Sequence, residues 1–253
     1  MMEKYYDMSP YVYCGNDPVR CIDPDGRSIY MLFYTTGNDG NYDDMFKTAA
    51  ETRKKDIMNS KGFDSTKDIV ILQSVSDLGE IGNLVENIVN EYSEKYGKTA
   101  EFGFWSHSAL DGPIGTSPTS KDPLETIQMK IEGWGKINFN WENNASAYFY
   151  GCRSGVSSKG QPSFTTKLSA LQNFQNVYLF GQNSYSYPSI YTNRREITLG
   201  MINGNFSYPT YMVGGKKGEG FKAYYQGIPA PSMSKSYNGK GIIRKYYQPG
   251  KNY

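Results

Sequence analysis

The sequence contains a single histidine and three cysteines among its 253 residues. A zinc site is usually built from clustered cysteine and histidine ligands, and this scattered supply does not provide the usual tetrahedral set. Three is also an odd number, so the cysteines do not form a complete disulfide framework. Cys14 and Cys21 could pair with each other, which would leave Cys152 as a thiol. We therefore expect no metal site and no cofactor.

An excess of charge of one sign and a long apolar run are also missing. Lys and Arg number 27 against 25 Asp and Glu, a net charge of +2. This balance offers no electrostatic reason to expect nucleic acid or an anionic membrane as a partner. No apolar stretch approaches the roughly 18 residues of a membrane span. The first residues lack a secretion signal, so we expect another carrier if the protein leaves its cell.

Glycine and tyrosine are abundant instead, with 27 and 23 residues. This composition is typical of a loop-rich exterior packed with aromatic side chains. The excess continues through residues 201–253, where short strand-like pieces such as residues 211–213 and 241–243 alternate with Gly and Lys. We expect a Tyr/Gly-rich, β-containing C-terminal extension that packs on the main domain, either as a hairpin layer or as a wrapping tail.

Between residues 28 and 200, apolar β-rich runs alternate with amphipathic helical stretches. The predicted strands are 29–36, 68–75, 101–106, 145–151 and 176–182, and the predicted helices are 43–59, 78–96, 123–132 and 164–174. This alternation predicts βαβ units and an α/β fold with a mostly parallel sheet flanked by helices. Ligands bind such sheets beyond the carboxyl ends of the strands.

His107 and Cys152 directly follow the third and fourth of these predicted strands. Carboxyl ends of neighbouring parallel strands lie about 5 Å apart, so the two side chains can share one cleft. An imidazole there can accept the proton of a thiol, whose ordinary pKa is about 8.5, or hold the thiolate as imidazolium. Backbone N–H groups in the following turns can bind a developing oxyanion. The pattern predicts a cysteine-dependent hydrolase.

Four other residues are candidates for the same site. Asp111 lies in an Asp-Gly-Pro turn and could orient His107 or contact a basic substrate side chain. Arg153 is typical of a solvated or salt-bridged side chain, although a cation beside Cys152 would favour a thiolate there. Gln182 and Ser184 follow the fifth strand, where an open sheet places substrate-binding groups, although a plain polar loop is the alternative.

The segment from Met1 to Arg27 consists of short polar pieces separated by proline and glycine. From Ser9 onward it resembles the end of the Rhs repeat-associated core, the junction between a conserved shell and a variable C-terminal toxin. The resemblance implies that residues 1–27 are this junction and that a toxin payload follows. It also implies delivery into a neighbouring cell and a cognate immunity protein as partner. The residues on the pattern are Tyr11, Tyr13, Asn16, Pro18, Val19, Asp23, Pro24, Asp25 and Gly26.

Two further motifs resemble the caspase-like cysteine peptidases, including the bacterial CHAT proteins. They are FWSHS, ending at Ser108, and YFYGCRSG, in which Gly151 precedes Cys152. The resemblance implies that Cys152 is the nucleophile and His107 the general acid and base. The amide of Cys152 and that of Ser108 or a neighbouring residue would then form the oxyanion hole. Many relatives have glycine where this chain has Ser108.

Together these patterns predict that residues 28–200 form a caspase-like catalytic domain. The chain would be an interbacterial toxin that cleaves a protein substrate in the target cell. Two alternatives stay open. The same pair could deamidate or transamidate a target protein. Otherwise the chain could be a non-enzymatic toxin or binding module whose tail contacts a membrane or partner surface.

Overall fold

The structure is a computed structural model that describes residues 26–37, 42–115, 129–158, 160–182, 185–188, 194–202, 205–207, 210–212, 217–229 and 235–238. Side chains are described for residues 26–37, 45–115, 129–158, 160–182 and 224–228. The junction pattern up to Asp25, Cys14, Cys21 and Ser184 therefore lie outside the described residues.

An α/β fold accounts for most of the described chain. In chain order the strands are β1 (Ser28–Thr35), β2 (Ile69–Val75), β3 (Lys98–Trp105), β4 (His107–Ala109), β5 (Gly112–Ile114), β6 (Trp141–Phe149), β7 (Val177–Gln182), β8 (Tyr185–Pro188), β9 (Arg194–Ile202), β10 (Asn205–Ser207), β11 (Thr210–Met212), β12 (Lys217–Tyr225), β13 (Ile228–Pro229) and β14 (Lys235–Asn238). The helices are α1 (Tyr42–Met58), α2 (Ile81–Tyr96), α3 (Ile131–Trp134) and α4 (Phe164–Ser169).

The central sheet is mostly parallel, as predicted. Its parallel strands lie in the order β2-β1-β3-β6-β7, and β12 joins antiparallel beside β7. Strands β13 and β14 both pair with β12. The two strands that precede His107 and Cys152 are therefore direct neighbours near the middle of the sheet.

Side chains of the strands alternate between two buried cores, one on each face of the sheet. Met31 and Phe33 of β1 pack in the same core as Val85 of α2. Leu32, between them, packs with Phe46 of α1 in the other. Successive side chains of a strand point to opposite faces, so a sheet covered by helices on both sides needs apolar residues at nearly every position.

The apolar residues of helix α2 recur every three or four positions, and the buried ones are Ile81, Val85 and Ile88. The helix ends at Gly97, whose φ of +76° lies in the region that favours glycine. A Cβ atom there would also come within 2.6 Å of the Arg27 carbonyl oxygen. Predicted helix 164–174 divides into α4 and a single 3₁₀ turn over Gln172–Phe174. Of predicted helix 123–132, residues 123–128 lie outside the described chain.

An ion pair between a half-buried arginine and a buried glutamate attaches α1 to the sheet. Arg53 of α1 donates two hydrogen bonds to the two carboxylate oxygens of Glu101 on β3. Burial would lower the pKa of Arg53, but the Glu101 carboxylate outweighs burial and raises the pKa above its ordinary value. A bidentate pair of this kind fixes orientation as well as distance. It holds α1, which carries Phe46, against the sheet.

The C-terminal extension continues the central sheet through β12. A second sheet is formed by β8, β9, β10 and β11. Strand β9 runs through residue 200, the boundary predicted between the catalytic domain and the extension. Within the described residues, the structure has no helix both long and apolar enough to cross a membrane.

Candidate active site

His107 begins a small hairpin at the carboxyl end of β3. Only Ser106 separates it from Trp105, the last residue of that strand. In the hairpin, β4 and β5 pair antiparallel, with His107 opposite Ile114 and Ala109 opposite Gly112. Gly112 has a φ of +128°, and a Cβ atom there would lie 2.6 Å from Cδ2 of Phe164 on α4. Glycine thus lets the hairpin rest directly on α4.

The imidazole of His107 is partly buried against α1. Its ring meets the ring of Phe46 edge to face, with centroids 5.2 Å apart and an interplanar angle of 81°. Phe46 itself is buried. An aromatic neighbour in this geometry restricts rotation of the imidazole and excludes water from one side of it.

Cys152 lies in the turn that follows β6. The register between β3 and β6 extends one residue beyond the strand end, where the Tyr150 N–H donates to the Phe104 carbonyl at 2.9 Å. Gly151 and Cys152 come next. Cys152 is partly buried and carries a thiol that is not in a disulfide.

A close contact brings the two chain segments together. A Cβ atom built on Gly151 would lie 3.0 Å from the Ser106 carbonyl oxygen and 3.2 Å from Ser108 Oγ, with Ser108 Cβ closer still. Gly151 therefore packs directly on both residues that flank His107. The residue next to the cysteine touches the neighbours of the histidine, so imidazole and thiol belong to one region of the protein. Only glycine fits between these segments.

Ser154 fixes the turn that carries Cys152. Its buried hydroxyl shares one hydrogen between the carbonyls of Phe149, at 2.9 Å, and Gly151, at 3.1 Å. It also accepts a hydrogen bond from the Gln182 N–H at 3.0 Å. One side chain thus joins the end of β6, the residue before Cys152 and the end of β7. Sequence analysis did not single out this serine.

Arg153, next to Cys152, has a φ of +55°, which is uncommon for a residue with a side chain. Such a conformation costs about 1–3 kcal/mol and persists where the surroundings impose it. The Val156 N–H donates to the Arg153 carbonyl at 2.9 Å. The next residue, Ser154, is held by the hydrogen bond from its hydroxyl to the Phe149 carbonyl. Backbone strain therefore lies immediately beside the candidate nucleophile.

A cavity of about 700 Å³ lies beside this region. The residues after His107 and Cys152, Ser108 and Arg153, both line it. His107 and Cys152 are not themselves among the residues that line it, so the cavity adjoins their sequence neighbours on the two segments. The remaining lining residues are Ala109, Leu110, Asp111, Val156, Ser158, Gln161, Pro162 and Lys167.

Asp111 is exposed at the turn of the hairpin and lines the cavity. His107 pairs with Ile114 at the opposite end of the same hairpin. Of the two roles predicted for Asp111, this position favours contact with a substrate side chain over orientation of the imidazole.

Gln182 is fully buried and lies beneath the Cys152 turn. Its backbone N–H donates to Ser154 Oγ, and its carbonyl accepts from the Gly155 N–H at 2.9 Å. Gln182 does not line the cavity. The structure therefore gives Gln182 a part in holding the turn, where sequence analysis had expected substrate contact.

Across the described residues, no three side chains of the His, Cys, Asp or Glu types come together as a metal site. Comparison with known proteins adds no relative, because no family model, curated protein or solved structure matches this chain.

Proposed function

We propose that this chain is a cysteine hydrolase in which Cys152 is the nucleophile and His107 the general acid and base. The contact of Gly151 with Ser106 and Ser108 carries the proposal, since it joins the two segments that bear the imidazole and the thiol. The cavity lined by Ser108 and Arg153 provides room for a substrate beside these two segments.

The reaction proposed is peptide hydrolysis through a thioester. His107 takes the thiol proton, and the Cys152 sulfur attacks the peptide carbonyl carbon. The amides of Cys152 and Ser108 bind the resulting oxyanion. The C–N bond breaks as His107 returns the proton to the leaving amine. His107 then deprotonates a water molecule, which attacks the thioester. The C–S bond breaks as His107 returns that proton to the sulfur, and the product acid leaves as a carboxylate after losing its own proton to solvent.

A caspase-like assignment fits this arrangement. The histidine follows the third strand of the central sheet in chain order and the cysteine follows the fourth, and these strands are neighbours. Gly151 and Ser108, which the motif resemblance pairs with the two catalytic residues, pack against each other. The assignment to this family is proposed from the motifs and this placement.

The role of toxin is proposed from the Rhs-like junction in residues 9–27. In this proposal the payload is delivered into a neighbouring cell and hydrolyses a protein there. A cognate immunity protein protects the producing cell, and covering the cavity beside Arg153 and Asp111 would be sufficient to block substrate entry.

Substitution of the two catalytic candidates tests the proposal. Cys152→Ala and His107→Gln should each abolish growth inhibition when expressed in susceptible cells, while Cys21→Ala should leave it unchanged. The removal of an acid–base group lowers a rate by about 10²–10⁴-fold, enough to be seen as loss of toxicity. A Cys152→Ala protein that inhibits growth as strongly as the parent contradicts the proposal.

Intact-mass analysis of the modified target separates the possible reactions. Peptide hydrolysis yields two fragments, whereas deamidation leaves one chain with a small mass shift. A non-enzymatic toxin predicts neither change. It also predicts that an alkylating reagent labels Cys152 no faster than Cys14 and Cys21.

A further inference from the structure

Tyr224 reaches the Cys152 turn from the C-terminal extension. This residue of β12 is buried, with 5% of its surface exposed. Its hydroxyl donates a hydrogen bond to the Gly155 carbonyl at 2.8 Å. The bond spans 69 sequence positions and is buried. Strand β12 brings it there because Tyr224 pairs with Leu179 of β7, the strand on which the turn rests.

Gly155 is the point where the Cys152 turn attaches to the sheet. Its N–H donates to the Gln182 carbonyl at 2.9 Å. A Cβ atom on Gly155 would lie 2.7 Å from the Gly181 carbonyl carbon, so the turn and β7 touch backbone to backbone. The Tyr224 hydroxyl is the hydrogen-bond partner of the Gly155 carbonyl.

The turn is consequently fastened on both sides of Cys152. Ser154 bonds the Gly151 carbonyl before the cysteine, and Tyr224 bonds the Gly155 carbonyl after it. If the phenol hydroxyl were lost, a buried carbonyl would lose its partner, and the turn could regain that hydrogen bond only by moving.

We propose that Tyr224 is a positioning residue for Cys152, an inference that rests on the proposed function. By holding Gly155, the Tyr224 hydroxyl fixes the positions of the Cys152 sulfur and amide relative to His107. Displacement of reacting groups by about 1 Å can lower a rate a hundredfold, so an anchor three residues away matters. The extension is thereby part of the catalytic apparatus.

The test replaces Tyr224 with Phe and uses Tyr225→Phe as the matched control. Tyr225 is the next residue on β12, and its ring packs on Tyr178, with centroids 4.6 Å apart. Reaction of Cys152 with iodoacetamide is followed by peptide mass spectrometry between pH 6 and 10. This probe needs no knowledge of the natural substrate.

Tyr224→Phe should react about tenfold more slowly near neutral pH, as expected for one lost buried hydrogen bond. The difference should vanish above about pH 9, where a thiol ionises without help from an imidazole. Amide hydrogen exchange at Gly155 should accelerate, whereas Tyr225→Phe should match the parent in both measurements.

A 4-fluorophenylalanine at position 224 guards against a simple folding defect, because fluorine has nearly the size and position of the hydroxyl oxygen but donates no hydrogen bond. It should react as slowly as Tyr224→Phe, and 4-aminophenylalanine, which keeps a donor, should restore the rate. Parent-like rate, pH profile and Gly155 exchange in the fluoro variant would overturn the inference. If parental Cys152 reacts no faster than in the unfolded chain, the proposed function fails instead, and Gly155 exchange still decides whether Tyr224 anchors the turn.

Discussion

Gly151→Ala should disable the site by forcing its two halves apart. The added methyl carbon would lie 3.0 Å from the Ser106 carbonyl oxygen and 3.2 Å from Ser108 Oγ, with Ser108 Cβ closer still. Ordinary contacts between carbon atoms lie at about 3.5–4.0 Å, so the segments must separate by about 1 Å. Overpacking of this kind costs about 1–3 kcal/mol of stability. A shift of that size also lowers catalytic rates by about a hundredfold.

Two measurements separate these effects. Urea denaturation gives the change in the free energy of unfolding, and the iodoacetamide reaction of Cys152 reports the site itself. Gly62→Ala is the control, because Gly62 is exposed and a Cβ atom there meets nothing within 4 Å.

A second substitution identifies the atoms responsible. Ser108→Gly removes the side chain that clashes, so the double variant Gly151→Ala, Ser108→Gly should regain part of the lost rate and stability. Full recovery is not expected, because the Ser106 carbonyl oxygen stays in place. A Gly151→Ala protein with parental stability and parental thiol reactivity would refute the contact from which the hydrolase was proposed.

Three other outcomes are expected. Arg53→Met should lower the free energy of unfolding by about 3 kcal/mol, because it leaves the Glu101 carboxylate buried and unpaired. Lys55→Met on the same helix should change the free energy of unfolding little. Equal effects of the two substitutions would contradict a stabilising role for the ion pair. Burial, and then neighbouring carboxylates, raise the pKa of Tyr30 to about 12. The contribution of Tyr30 to stability should therefore be complete below about pH 10, which is the pKa of the phenol in the unfolded chain. This contribution should be lost as the pH rises towards 12. Denaturation at pH 9 and 11 should show a smaller loss in Tyr30→Phe than in the parent, and parallel losses would exclude the effect. Asp111→Asn should raise KM about fivefold for peptides with a basic residue beside the scissile bond and leave neutral peptides unaffected; an equal change in both would count against substrate contact.

Local pattern predicted the central strands and the long helices, although β3 and β6 begin three and four residues before the strands predicted at 101–106 and 145–151. The apolar spacing and the stop at Gly97 predicted where α2 ends, since helix formation depends on neighbours three and four positions apart. The first three residues of the predicted helix, Leu78–Glu80, form a 3₁₀ turn before α2 begins at Ile81. The predicted strands 29–36 and 176–182 agree with β1 and β7 within one residue. Continuous apolar runs of this length are typical of strands buried on both faces.

Short or non-local elements were not predicted. The hairpin that begins at His107 has strands of only three residues, too short for any periodicity, and its sequence indicated a loop. The antiparallel addition of β12 to β7 depends on chain segments far apart, and no local feature of the extension distinguishes that edge from another surface. Gln182 was predicted to contact substrate from its place after a strand, but the turn that follows Cys152 covers it.

The sequence by itself determined which chemistry is available: one imidazole, at His107, a thiol at Cys152 and the strands that precede each of them. These properties depend on residue type and on local spacing, which can be read directly. The tertiary structure decided which groups meet, placing Gly151 on Ser108 and the Tyr224 hydroxyl on Gly155. Such contacts follow from the order and register of the sheet, and these are set by packing among segments far apart in the chain rather than by any local pattern.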